Sequence, residues 1–182
     1  MRTPAQCSGG FTLIELMIAT ALLAILGGLA VPAFTGLLYD SMRSNAVNAF
    51  VHTVFLARSE AMKRGQTVSI CKSPDGNSCN NTASDWNTGW IAFANIDRDE
   101  PPVRDENEPI LAVQGAWPRG RITANRKAFS FRPHVQGIVN GTIVFCDPRG
   151  SATARAIIIN RAGRPRLAQR DASNRPLRCA TG

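Results

Sequence analysis

Two hydrophobic patterns follow one another in the first third of the chain. Over residues 11–34 apolar side chains are nearly continuous, and from Leu16 to Val31 none is charged. That run approaches the ~20 residues needed to cross about 30 Å of hydrocarbon, so a membrane-spanning helix is expected over 11–32. From Ala33 the apolar positions thin to one face: Leu38, Met42, Ala46, Phe50, Val54, Ala57 and Ala61 recur every three or four residues. This predicts an amphipathic half, 33–65, lying with one face against a globular domain. Pro32 predicts a kink within the helix and not its end. Lys63 and Arg64 suit the negative end of the helix dipole, and Gly65 is the expected stop.

Beyond Gln66 the period changes. Short β-type runs separated by turn residues occupy 67–72, 89–94, 110–114, 121–123, 128–131, 142–146 and 154–160, and no later helical pattern appears. They predict a β domain, residues 66–182, of one or two antiparallel sheets packed on the helix, an α+β fold. Trp86, Trp90, Trp117, Phe93, Phe129, Phe131 and Phe145 are then core or sheet-face residues.

The long apolar run contains one acid, Glu15, near its start. A carboxylate there is costly and calls for a partner. Gly10, Phe11 and Glu15 together resemble the type IV prepilin signature. The resemblance implies that residues 1–10 are a leader, that a prepilin peptidase cuts after Gly10 and methylates the new amine of Phe11, and that Glu15 pairs with the N-terminus of a neighbouring subunit during assembly. It also implies a single-pass protein of the bacterial inner membrane with a periplasmic C-terminal domain, later transferred to a pilus of major and minor pilins outside the cell. An ordinary secretory peptide would place its cleavage site after the apolar run, whereas here the glycine precedes it.

Charge adds a second theme. The chain has 182 residues and a formal charge of +8. Residues 11–118 hold seven bases and eleven acids, whereas 119–182 hold thirteen bases against Asp147 and Asp171 alone. A basic C-terminal third suits a polyanionic partner. Of five cysteines, Cys7 falls in the leader, leaving Cys71, Cys79, Cys146 and Cys179. An even number outside the cytoplasm favours two disulfides over a metal site. Three connectivities are open. Pairing Cys71 with Cys79 closes a short polar loop, pairing Cys146 with Cys179 ties the chain end to a strand, and this set is favoured.

The basic region centres on residues 154–170, within a tail spanning 154–182. An apolar strand leads to a turn that presents Arg161, Arg164, Arg166 and Arg170. Gly163 permits positive φ, and Pro165 holds its neighbours extended, so Arg164 and Arg166 project to one side roughly 6.6 Å apart. That spacing suits neighbouring phosphates, which the planar guanidinium binds bidentately. No Phe, Trp or Tyr occurs after Asp147, so the tail has no platform for stacking bases, and contacts would be to the backbone, indifferent to sequence.

The order of GWIAF at 89–93, FSFRP at 129–133, VFCDPRG at 144–150 and ARAIIINRAGRPR at 154–166 is similar to the FimT/GspH (FimU-like) group of type IV pilus minor pilins. In FimT-type members a GRxR motif is implicated in binding DNA during natural transformation, and Gly163, Arg164, Pro165 and Arg166 match it. Arg161 and Arg170 join the expected DNA-binding set by proximity. A structural minor pilin, or a GspH-like type II secretion pseudopilin that primes filaments without binding DNA, is the alternative.

Enzymatic signatures are lacking. His52 and His134 have no partnered nucleophile, there is no HExxH, GxSxG or nucleotide fingerprint, and no CxxC pair suggests zinc. Neither cofactor nor metal is expected. The acidic stretch 97–108 lacks the glycine of a calcium loop and reads as a solvent-facing hairpin tip.

Overall fold

The computed structural model describes residues 10–82, 85–133 and 139–179, and within its helix the side chains of all residues but 29 and 31–33. Cys7 and the rest of the leader before Gly10, like His134, lie outside the described residues. Helix α1 (Leu13–Arg64) comes first. Eight strands follow among the described residues: β1 (Thr67–Lys72), β2 (Trp90–Asn95), β3 (Ile110–Gln114), β4 (Arg121–Ala124), β5 (Ala128–Phe131), β6 (Gly141–Cys146), β7 (Arg155–Ile159) and β8 (Pro165–Ala168). The chain divides into two units after Ser41.

In the first unit Thr12 caps the helix, its hydroxyl accepting the Glu15 backbone N–H at 3.3 Å. The spacing Thr12-x-x-Glu15 is that of a capping box, so Glu15 has a local place in the first turn as well as its expected role between subunits. Leu13, Ile14, Leu16, Leu23 and Leu26 are all exposed there. Among the described residues no helix is long and apolar enough to cross a membrane. Within the apolar half of α1, side chains are described without a gap over 13–28, short of the ~20 residues of a span, and the expected span over 11–32 extends past them.

The second unit is built around the stripe predicted from periodicity. Ala46, Phe50, Val54, Ala57 and Ala61 are buried on one face of α1. Phe50 is central: its ring lies 5.3 Å from Trp90, 5.8 Å from Trp86 and Phe129, and 6.2 Å from Phe145, all edge-on. Edge-to-face contacts suit the positive rim and negative face of aromatic rings. Trp90 also donates its indole N–H to Thr53 Oγ1 at 3.1 Å, so a polar atom deep in the core is satisfied.

The strands form two four-stranded antiparallel sheets, ordered β3-β2-β1-β5 and β4-β6-β7-β8. Trp90 and Phe129 come from the first and Phe145 from the second, so one helical residue joins both sheets into a single core. Strands β1 and β2 are buried on both faces: on the outer side Cys79, in the loop closed by Cys71–Cys79, packs with Cys71, Ile91 and Phe93, and Asn95 bonds to Ser69 and to Asp99 of the following loop. The outer side of the second sheet is covered by the chain end, where Leu177 packs on Ala154, Ala156 and Cys146. Both covers depend on the cysteines: Cys71 is bonded to Cys79 and Cys146 to Cys179, the pairing favoured from sequence.

Helix α1 runs through residue 32 to a terminus where Gly65 has φ +64°, as its place after the last periodic residue predicts. The acidic stretch differs from expectation. Glu108 is 1% exposed, and its carboxylate accepts the backbone N–H groups of Ile96 and Asp105. The loop is organised from inside by a carboxylate satisfying backbone donors and is not merely a solvated tip.

Candidate nucleic-acid interface

Strand β8 lies at the edge of the second sheet, and its four residues pair with β7 in the register Ile159↔Pro165, Ile158↔Arg166, Ile157↔Leu167 and Ala156↔Ala168. Proline is tolerated as the first residue of an edge strand. The ladder continues past the strand ends, where Asn160 donates its backbone N–H to Arg164 O at 3.1 Å. Residues 161–163 are thus a three-residue hairpin loop, closed by Gly163 N–H to Asn160 O at 2.9 Å. Such loops are a type I turn followed by a left-handed residue, and Gly163 supplies it with φ +71°.

Two features lock this turn. The Asn160 side-chain carbonyl accepts the backbone N–H groups of Ala162 and Arg164, both at 3.0 Å. Gly163 is buried, and a Cβ there would sit 3.2 Å from Phe131 of the first sheet. Asn160 is missed by reasoning from the arginines alone. Its signal is the preference of Asn for the start of a turn, where its side chain bonds to backbone two residues on.

Arg161, Arg164 and Arg166 are all exposed on this hairpin. Their settings differ from those of several other C-terminal cations. Arg121 is bound to Asp85 at 2.8 Å, Arg149 to Asp147 at 2.7 Å and Arg175 to Asp171 at 2.7 Å. Asp171 is held below the usual carboxylate range, first by the backbone N–H of Arg175 and then by its guanidinium. Arg126 is bonded to Asn140 and Arg155 to the carbonyls of Thr153 and Ala154. Arg170 donates to Asn174 O at 3.0 Å, within the turn that follows β8. Among the described residues no acid pairs with the guanidinium groups of Arg161, Arg164 or Arg166. The hairpin loop and the start of β8 thus present three exposed arginines close together in sequence, while Arg119, Lys127 and Arg178 are exposed elsewhere in the C-terminal third.

Alternation along the return strand gives Arg164 and Arg166 the same side, two residues apart. The turn is held by the β7–β8 ladder and by Asn160, and the Cys146–Cys179 bond closes the chain around it at a sequence separation of 33. The remaining sequence-predicted residues lie elsewhere. Gly10 and Phe11 are exposed ahead of α1 and Glu15 is exposed in its first turn. Among the described residues no group of three or more metal-ligating side chains occurs.

A long N-terminal helix packed on two antiparallel sheets is a pilin-like fold. It is similar to two crystal forms of the Pseudomonas aeruginosa type IV minor pilin FimU, with TM-scores of 0.55 and 0.51. Each likeness covers 78% of this chain and 97% or 99% of the other, at 18% and 19% identity. The family profile described as type II transport protein GspH matches residues 46–163, and the prokaryotic N-terminal methylation motif matches 6–31. The chain belongs to the GspH family and carries that methylation motif. Arg164 and Arg166 follow the last residue of the family match.

Among curated relatives, a fimbrial protein of Dichelobacter nodosus is 33% identical over 88 residues, which is 48% of this chain and 52% of that protein. The type IV major fimbrial protein FimA of the same organism is 32% identical over 97 residues, 53% of this chain and 58% of its own length. The chain thus spans little more than half of these two relatives. A further fimbrial protein of that organism is 31% identical over 139 residues, covering 74% of this chain and 84% of the relative.

Proposed function

We propose that this chain is a minor type IV pilin that binds extracellular DNA through the β7–β8 hairpin for uptake in natural transformation. The observation that carries the reading is the set Arg161, Arg164 and Arg166, exposed together with no acid paired to them among the described residues. Arginines presented in this way grip phosphate oxygens, and contacts to phosphate carry no sequence information. Arg170 is a supporting contact at the strand's far end.

The N-terminal part of the proposal follows the methylation motif. Prepilin peptidase removes residues 1–10 after Gly10 and methylates Phe11, residues 11–32 anchor the protein in the inner membrane, and Glu15 meets the N-terminus of a neighbouring pilin on assembly. The apolar side chains exposed along the first half of α1 suit burial against lipid and then against other pilin helices.

Fluorescence anisotropy on the full chain in nonionic detergent, with labelled duplexes of unrelated sequence at several salt concentrations, tests the DNA reading. Similar affinity for all duplexes is expected. Replacing Arg164 and Arg166 by Ala is expected to weaken binding and to flatten the slope of log K against log salt by about two units. No binding by the unsubstituted chain at low salt would sink the reading. The GspH family match favours the second reading, a filament-priming subunit that leaves nucleic acid alone, and that same negative result would support it.

A further inference from the structure

Building on the DNA-binding reading, we infer that Arg58 of α1 is a fourth cation of the same interface. It lies 103 residues before Arg161 in the chain, and the fold brings it to the hairpin. A Cβ at Gly163 would sit 3.7 Å from Arg58 Cδ, alongside the Phe131 ring at 3.2 Å. The buried floor of the arginine turn thus faces the aliphatic stem of Arg58, and the charged group begins at the next atom, Nε.

The setting of Arg58 on the helix fits this role. Ala57 and Ala61 are buried in the core, at 0% and 1% exposure, whereas Arg58 is half-buried. A long basic side chain so placed covers apolar surface with its methylenes and keeps its head in water. Glu60, the acid closest to it in sequence, is taken by Lys63 and Arg64 at the end of the helix. Among the described residues no acid pairs with Arg58.

Arg58, Arg161, Arg164 and Arg166 therefore form a group of one sign in which no member is paired with an acid among the described residues. Such a group repels itself in the free protein, and an approaching polyanion relieves the repulsion. Because one member comes from the helix and three from the hairpin, the interface extends beyond a linear motif. The ligand class remains a nucleic-acid backbone, with an additional phosphate gripped by Arg58.

Anisotropy titrations of the full chain in detergent, over a salt series with unrelated duplexes, test the assignment. Arg58→Met keeps the stem and removes the charge. It is expected to bind several-fold more weakly and to flatten the salt slope by about one unit. Arg58→Lys is expected to recover most of the affinity, and Arg64→Met, whose charge is directed to Glu60, to leave both affinity and slope unchanged. Thermal unfolding of each variant checks that the fold is intact, with Arg58→Gln replacing Arg58→Met if the latter fails to fold. Unchanged affinity and slope without the Arg58 charge, in a background where the unsubstituted chain binds, would overturn the role of Arg58 and leave the hairpin reading standing. Absence of binding by the unsubstituted chain would overturn both.

Discussion

Arg43 on α1 and Asp147 at the end of β6 meet at 2.6 Å with side-chain exposures of 6% and 0%. The pair links the helix to the second sheet at the base of the loop leading into β7. Asp147 also accepts from the Arg149 guanidinium at 2.7 Å and from Thr153 Oγ1 at 3.0 Å, so one carboxylate holds both the helix and the turn. Removing one member of a buried pair strands the other charge, at a cost of about 3–5 kcal/mol. Asp147→Asn is expected to lower unfolding stability by that order in urea titrations. A loss below about 1 kcal/mol would show that the pair is not structural.

The same carboxylate predicts an acid limit. Burial pushes Asp147 up, but hydrogen bonds from the Arg149 side chain and backbone and from Thr153 outweigh it and hold the group at about 2. An unfolded Asp titrates near ~3.9. The folded value is the lower, so the contribution is complete above about pH 4 and lost as pH falls through about 2. Asp75 and Asp171 are also held low by hydrogen bonds and steepen the acid loss of the unsubstituted protein. The expected signature is thus a difference: stability measured from pH 5 to pH 2 falls less steeply in Asp147→Asn. Parallel profiles for the two proteins would assign the acid loss to other carboxylates.

Gly163→Ala separates turn geometry from charge. A side chain at φ +71° costs about 1–2 kcal/mol, and the added Cβ presses on Phe131 at 3.2 Å. Lower stability and weaker DNA binding are expected together, with the salt slope nearly kept because no cation is lost. A variant as stable as the parent would contradict the packing described for this turn.

The two disulfides are expected to contribute unequally. Chain-entropy arguments give about 2.5 kcal/mol for the separation of 8 between Cys71 and Cys79 and about 4 kcal/mol for the separation of 33 between Cys146 and Cys179. Paired Cys→Ser variants compared by urea unfolding read the difference directly. Loss of the second bond also frees the chain end that covers Ala154 and Ala156, which adds to its effect. Equal losses would show that loop length does not govern their contributions.

Much of the fold is legible in the sequence because local patterns carry it. The stripe from Ala46 to Ala61 forms the buried face of α1, and seven of the eight strands among the described residues lie where short β-type runs predict them. Strand β8 is the exception. Pro165 predicts an extended arrangement of its neighbours, but Pro165, Arg166, Leu167 and Ala168 contain no β-branched residue, and that they pair with β7 as an edge strand is decided by the fold. Glu108 is similarly opaque, since an acid in an acidic run gives no sign that the fold will bury it against backbone donors.

For the candidate interface, the sequence by itself determined the place of the glycine and the arginines around it, because turn chemistry and residue charge are local properties. Which of the thirteen C-terminal bases remain available was decided by tertiary structure alone. Arg121 is taken by Asp85, a residue 36 positions away, and Arg58 reaches Gly163 only because α1 packs beside the hairpin. Ion pairing depends on distance in space, and distance along the chain does not report it.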